Sequence, residues 1–226
     1  MEIALKELSS FSELGAPIPL DLPPPCRVPH QYLLRVLVSP KYSTEVRLPQ
    51  EMSWLSESIE ALYEMDTEIT GISSENSWCY ATVRSGPSPF PPDNEWHLDG
   101  GSLRTELIPE RNYVYQPSFP LEYREGTVTW DEGFNPYLHN MFHYIRDYGT
   151  LGPIQAAKEG WNLLWPNVYH RRPPGDEDRT FIRITMADIE IRDARCNQNP
   201  MWPKQRAYGR NPAASFRDQL SSYRRP

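Results

Sequence analysis

Proline restricts this chain more than any other residue, since it occurs 24 times among 226 residues, against 12 glycines. Each proline removes a backbone donor and interrupts a helix, so the composition argues against a helical bundle. Short strands joined by irregular loops tolerate proline at this density. A hydrophobic content of 38% supports an ordered core, and chains of this length commonly form one unit. We therefore predict a mainly β protein with a single domain over residues 1–226.

Composition divides this domain into three segments. Residues 1–30 form a proline-rich N-terminal arm, in which a turn or helix is expected to end near Gly15 and six prolines between 17 and 29 require extended backbone. Residues 31–200 contain the core of the domain with its helices. From 201 to 226 six Lys or Arg side chains stand against one acid, a local charge of +5 in a chain whose net charge is −7. This basic tail is expected to dock on the acidic body or to meet an anionic substrate.

Hydrophobic periodicity predicts one long helix among several strands. Between residues 49 and 70 the apolar residues fall at helical spacing, which indicates an amphipathic helix. A shorter aromatic helix or lid is expected within 135–148. Runs rich in branched and aromatic residues predict strands at 31–38, 78–84, 113–116, 122–130, 162–170 and 179–188. A polar turn over 171–176 is expected to join the last two strands as a hairpin.

A histidine and an aspartate are spaced for metal binding just before a pair of glycines. His97 and Asp99 lie two residues apart, so on a strand both side chains leave the same face and can reach one ion. One more histidine would complete a 2-His-1-carboxylate triad, which holds iron(II) and leaves three coordination positions open. Four prolines between 86 and 92 predict an irregular loop, suited to border a pocket, ahead of these ligands.

The remaining four histidines compete for the third position. His30 lies in the proline-rich arm, where it fits poorly. His139 and His143 have the i, i+4 spacing of zinc ligands on a helix, but Asn140 stands where a zinc protease of that type needs a glutamate base. His170 ends a predicted strand before the polar turn, so it can meet the first two ligands across the mouth of a barrel.

Arg179 follows His170 by nine residues and begins the next predicted strand. An antiparallel return of the chain would bring this arginine back near the histidine. Arginine is suited to bind a carboxylate through two parallel hydrogen bonds, as the far end of a dicarboxylate cosubstrate would require. The series of His97, Asp99, His170 and Arg179 resembles the HxD…H…R signature of the iron(II)- and 2-oxoglutarate-dependent dioxygenases.

This resemblance covers about residues 78–190 and implies both a fold and a set of cofactors. The implied fold is a double-stranded β-helix, of the jelly-roll or cupin-like kind, here flanked by N-terminal helices. The three ligands would hold Fe(II), and 2-oxoglutarate would chelate the metal and extend its distal carboxylate to Arg179. Dioxygen is the other cosubstrate, and ascorbate serves as a reductant in vitro.

Further residues are candidates for contacts to 2-oxoglutarate. Arg183 lies four residues after Arg179, on the same face of the strand, and Arg171 and Arg172 are also close by, so any of the three can take over its role. Members of this family often add a polar side chain from a neighbouring strand, for which Tyr80, Arg84 and Tyr115 are candidates. The sequence does not choose among these three.

The implied reaction is the hydroxylation of a small molecule, such as an amino acid or a natural-product intermediate, with desaturation as the variant outcome. Glu95 or Asn167 is expected to orient the imidazoles. Two other functions stay open: a cupin-like metal enzyme that works without 2-oxoglutarate, and a non-catalytic β-sandwich binding module. The first would bind metal without any dependence on the arginine, and the second would bind no specific metal.

Charge and cysteine content bear on partners and location. The net charge of −7 works against general binding to nucleic acid or to anionic membranes. The N-terminus lacks a charged-then-apolar signal pattern, and no stretch approaches eighteen apolar residues, so a cytoplasmic protein is expected. Cys26, Cys79 and Cys196 lie far apart without a CxxC pair, which favours reduced thiols. The oligomeric state is left open.

Overall fold

The computed structural model describes residues 12–43, 45–86, 94–99, 110–134, 139–175, 178–191, 197 and 199–202. Twelve strands and two α-helices occur within these ranges. The strands of the first half are β1 (Glu13–Leu14), β2 (Ile18–Leu20), β3 (Gln31–Ser39), β4 (Trp78–Gly86), β5 (Arg111–Gln116) and β6 (Glu122–Arg124). Those of the second half are β7 (Gly126–Thr127), β8 (Thr150–Leu151), β9 (Gln155–Ala156), β10 (Gly160–Leu164), β11 (Tyr169–Arg171) and β12 (Arg179–Ala187). The helices are α1 (Ser56–Thr70) and α2 (Met141–Tyr148).

These strands form three antiparallel sheets. The large sheet has six strands in the order β2-β10-β5-β12-β4-β3. One small sheet has the order β11-β6-β9, and another the order β1-β7-β8. The fold is therefore mainly β and antiparallel, as the proline content and the strand pattern predicted.

One face of the large sheet, its outer face, is apolar and covered by α1. Side chains of five of its strands form one buried cluster there with Leu55, Ile59 and Leu62. A 3-10 helix over Gln50–Leu55 leads into α1, which ends at Gly71 with a φ of +69°, a conformation that glycine adopts without strain. The helix predicted over 49–70 is confirmed, and its apolar stripe packs into the main core.

The opposite, inner face of the large sheet is richer in polar residues. Arg183 lies across from Thr82 on one neighbouring strand and Val114 on the other, and residues paired in this way share a face. Thr185 and Asn112 form the next such pair and are joined by a hydrogen bond of 2.7 Å between their side chains. Apolar residues toward one side of this face pack against the small sheet β11-β6-β9, through a cluster of Val114, Leu121, Ala157, Leu164 and Val168. The two sheets therefore face each other across the polar surface of β12.

Several sequence predictions are wrong in detail. The single strand expected over 162–170 is two strands in different sheets, because a turn closed by a 3.0 Å hydrogen bond from the Val168 amide to the Trp165 carbonyl separates β10 from β11. The hairpin expected through 171–176 does not form, since β11 pairs with β6 and β12 pairs with β4 and β5. Glu13–Leu14 is a strand and not the end of a helix.

Other predicted features are confirmed or lie outside the described residues. The strand predicted over 31–38 is β3, and the one predicted over 78–84 is β4. The proline loop around 87–93, most of the basic tail and Cys196 fall outside the described ranges. Neither described helix has the length and the apolar run that crossing a membrane requires.

Candidate metal centre

His97 and His170 are held opposite each other by their own backbones. The amide of His97 donates to the carbonyl of His170 over 2.8 Å, and the amide of His170 donates to the carbonyl of His97 over 3.0 Å. Two backbone hydrogen bonds thus join the antiparallel pair, and His97 adds one residue to the small sheet β11-β6-β9 beside β11. The two imidazole rings leave the same face, with their centroids 4.5 Å apart.

Both imidazoles are oriented by the backbone in the same way. Nδ1 of His97 lies 2.7 Å from the carbonyl oxygen of Glu95, and Nδ1 of His170 lies 2.8 Å from that of Val168. A carbonyl oxygen only accepts, so each Nδ1 carries the proton and each Nε2 keeps its lone pair for a metal. Glu95 thus acts through its main chain, while Asn167 ties down the N-terminal arm by donating to the Glu13 carbonyl over 2.9 Å.

Asp99 completes the group of potential ligands. Its Oδ2 lies 3.5 Å from His170 Nε2, and one donor atom from each of the three residues lies within 4.8 Å of the others. Burial raises the pKa of Asp99, but opposing effects, led by the positive charge of Arg183, outweigh burial and hold this pKa well below its usual range. The carboxylate is therefore ionised and ready to bind a cation.

Two imidazole nitrogens and one carboxylate oxygen are a donor set that divalent transition metals accept. Three ligands on one side of an ion leave the other side open, which is how a facial triad admits a cosubstrate and oxygen. The cluster can hold a metal ion. No other group of three or more such ligand residues converges anywhere in the described ranges.

Arg183, and not Arg179, contacts this triad. Its Nη1 donates to Asp99 Oδ2 over 2.6 Å, and its side chain is only 12% exposed. Burial lowers the pKa of Arg183, but the carboxylates of Asp99 and Glu110 outweigh burial and raise it. The sequence predicted that Arg183 shares a face of β12 with Arg179, and it left the exact role of Arg183 open.

Arg179 lies four residues earlier on the same face of β12, about 13 Å away along the strand. Burial, with repulsion from Arg172 and Arg84, lowers the pKa of Arg179 to about 10. Its Nη1 is buried and has no hydrogen-bond partner among the described residues. Arg172 and Arg179 line a small cleft together with Phe119 and the turn after β11. An anionic group in this cleft would satisfy the unpaired donor.

The three additional candidates are placed very differently. Arg84 is exposed, and its guanidinium lies over the rings of Tyr32 and Phe181, close enough to Arg179 to repel it. Tyr80 is fully buried and its hydroxyl accepts from the Ile191 amide over 2.9 Å. Tyr115 lies on the outer face, where it pairs with Ile182 and packs on Trp161, so the structure does not bring it to the triad. Neighbouring residues of a strand point to opposite faces, so Tyr115 points away from the inner face to which Val114 points.

The two histidines near α2 do not belong to the candidate metal-binding group. Asn140 caps α2 by accepting from the amides of Phe142 and His143, so His139 precedes the helix and cannot share its face with His143. His139 packs on Phe134, in an aromatic cluster that also contains Tyr144. The helix expected within 135–148 is present, without the paired imidazoles of a HxxxH site.

Glu110 is a further charged residue near the triad that no sequence motif indicated. This residue directly precedes β5 and interacts electrostatically with Arg183 and Asp99, and burial raises its pKa. Alternation could have identified it, because Glu110, Asn112 and Val114 are spaced to point to one face of a strand.

Comparisons with known proteins add little to this site. No family model and no curated protein matches the chain. One solved structure, that of AviO1 from Streptomyces viridochromogenes Tue57, aligns over 82% of this chain and 84% of its own, with 14% sequence identity and a TM-score of 0.41. The chemistry open to the triad therefore follows from its own donor atoms.

Proposed function

We propose that this protein is an iron(II)- and 2-oxoglutarate-dependent oxygenase that hydroxylates, or desaturates, a small molecule. The observation that carries the proposal is the convergence of His97, Asp99 and His170 within 4.8 Å, with both Nε2 atoms available to a metal. The proposal includes a double-stranded β-helix as the fold, which the large sheet facing a small antiparallel sheet supports.

The residues present fit both implied groups. Two imidazole nitrogens and an ionised carboxylate suit iron(II). The buried, unpaired Nη1 of Arg179 suits the distal carboxylate of 2-oxoglutarate, since arginine binds carboxylates strongly through charge-assisted hydrogen bonds. Arg172 and Arg84 add positive charge around the same position. A dianion would be attracted to this part of β12.

The chain's own groups have separate tasks in such an enzyme. Iron(II), 2-oxoglutarate and dioxygen together supply the oxidising chemistry, which no side chain can perform. His97, Asp99 and His170 hold the metal, and the carbonyls of Glu95 and Val168 keep the imidazole protons on Nδ1. Arg183 keeps the Asp99 carboxylate ionised and oriented.

The proposal is tested by adding iron(II), ascorbate and 2-oxoglutarate to the protein without oxygen. We expect the weak visible charge-transfer absorption band of a chelated iron complex. His170→Ala should abolish the band because it removes a ligand, while His143→Ala, which removes an exposed imidazole, should leave it unchanged. The absence of a band in the wild type, or an unchanged band in His170→Ala, would refute the proposal. If replacing Arg179 changes neither metal binding nor the band, the cupin-like enzyme without 2-oxoglutarate is favoured.

A further inference from the structure

Glu110 lies at the polar inner face of the large sheet, the same face as Arg183, which donates to Asp99. Its Oε1 accepts from Asn112 Nδ2 over 3.3 Å, and Asn112 Oδ1 accepts from the Thr185 hydroxyl over 2.7 Å. Thr185 is two residues from Arg183 and on the same face of β12. This chain of hydrogen bonds ties the Glu110 carboxylate to the strand that carries the arginine.

Arg183 and Glu110 attract each other without forming an ion pair. Each group acts electrostatically on the other, yet within the described part of the chain no contact of 4.0 Å or less joins them. Arg183 uses Nη1 for Asp99, while its Nε is buried without a partner. Glu110 has no hydrogen bond to the described residues besides the one from Asn112. Beside the triad, the Arg183 guanidinium therefore has a donor without a partner among the described residues, and the nearby Glu110 carboxylate accepts a single hydrogen bond from them.

Leaving Arg183 Nε without any hydrogen-bond partner in the described ranges, and Glu110 with a single long hydrogen bond there, is unfavourable, because buried polar groups need hydrogen bonds. A ligand that carries an anion and a cation close together would satisfy both. We propose that Arg183 and Glu110 bind the carboxylate and the ammonium group of a zwitterionic α-amino acid, which is the substrate. This inference rests on the proposed function for the position of the substrate next to the iron.

The charges also separate the substrate from the cosubstrate. Glu110 repels a dianion such as 2-oxoglutarate, whereas Arg179 has two further arginines, Arg172 and Arg84, near it. The two sites would lie on opposite sides of the metal ligands, with the cosubstrate toward the start of β12 and the amino acid toward its end. A zwitterion has no net charge, so the paired opposite charges of Arg183 and Glu110 favour it over a dicarboxylate.

The inference is tested by calorimetry on protein loaded with iron(II) and 2-oxoglutarate under anaerobic conditions. Each of the twenty common α-amino acids is titrated, and any that binds is compared with its N-acetyl derivative and its methyl ester. We expect at least one free amino acid to bind, and either derivative to bind at least tenfold more weakly because it lacks one of the two charges.

A charge-removing variant tests the residue itself. Glu110→Gln should bind the amino acid at least tenfold more weakly, whereas Glu57→Gln, which removes an exposed carboxylate on α1, should bind it as the wild type does. The inference is overturned if none of the amino acids binds to the wild type, if the derivatives bind equally well, or if Glu110→Gln has unchanged affinity. The comparison with derivatives uses wild-type protein, so it holds even if Glu110→Gln folds poorly.

Failure of this inference is distinguishable from failure of the proposed function. The visible band of the iron complex reports on the metal and 2-oxoglutarate, and calorimetry reports on the amino acid. A normal band without amino-acid binding overturns only the inference. Amino-acid binding that depends on Glu110, without a band, overturns the oxygenase proposal and supports Arg183 and Glu110 as a binding site for an amino acid.

Discussion

Arg183 donates from Nη1 to Asp99 Oδ2 over 2.6 Å, and the same carboxylate oxygen lies 3.5 Å from His170 Nε2. The guanidinium and the candidate metal site therefore share one carboxylate. Such an outer partner orients a ligand and holds it ionised before any metal arrives. The geometry of the triad consequently depends on a residue from the facing sheet as well as on the backbone pair of histidines.

Removing this outer partner should weaken metal binding. We expect Arg183→Gln to reduce the affinity for Mn(II) or Co(II) by roughly 10–100-fold, because outer partners of metal ligands typically contribute that much. Equilibrium titration followed by tryptophan fluorescence measures the change. Arg146→Gln is the matched control, since Arg146 is exposed and, among the described residues, forms an ion pair with the neighbouring Asp147 alone. An unchanged or higher affinity in Arg183→Gln would show that Asp99 does not need the arginine.

Arg179 should govern the requirement for 2-oxoglutarate and not the metal. Arg179→Gln is expected to raise the 2-oxoglutarate concentration needed for half-maximal formation of the visible band by at least about tenfold, since a charge-assisted hydrogen bond is lost. Metal affinity in this variant should equal that of the wild type, because Arg179 lies about 13 Å along the strand from Arg183. Equal requirements in variant and wild type would transfer the role to another cation.

A buried ion pair attaches α1 to the large sheet. Arg111 donates from Nε and Nη2 to Asp66 over 2.6 and 2.9 Å, and both side chains are fully buried. Asp66→Ala should lower the free energy of unfolding by about 3–5 kcal/mol, since it leaves a buried charge without its partner. Glu68→Ala, an exposed change on the same helix, should have little effect. Urea denaturation measures both, and a loss below 1 kcal/mol in Asp66→Ala would contradict the expectation.

Cys79 should make stability depend on alkaline pH. Burial raises the pKa of this thiol to about 12, so the folded protein keeps the proton that the unfolded chain releases near its ordinary pKa. The stabilising effect is complete below that ordinary pKa and is lost as the pH rises toward 12. Between pH 9 and 10 the wild type should lose about 1 kcal/mol more than Cys79→Ala in the free energy of unfolding. Parallel losses in urea titrations at the two pH values would refute this.

The individual elements were predictable where a periodic pattern and a burial pattern agree. The helix over 49–70 and the strands β3, β4 and β12 were predicted, and each contributes several apolar residues to one core. The single strand predicted over 162–170 was wrong because a continuous apolar run does not show where the chain leaves one sheet and enters another. Tyr115 was a candidate by residue type alone. Because side chains alternate along β5, Tyr115 points to the outer face, which α1 covers.

The sequence by itself determined the types of the candidate ligand residues and their local spacing. His97 and Asp99 reach one face because they lie two residues apart, and His170 was the histidine whose strand context suited a third ligand. Tertiary structure alone decided which arginine contacts Asp99, that Glu110 lies near that arginine, and that His170 lies opposite His97. These relations join residues dozens of positions apart on different sheets, and the register and facing of sheets depend on packing over the whole core, which no short stretch of sequence contains.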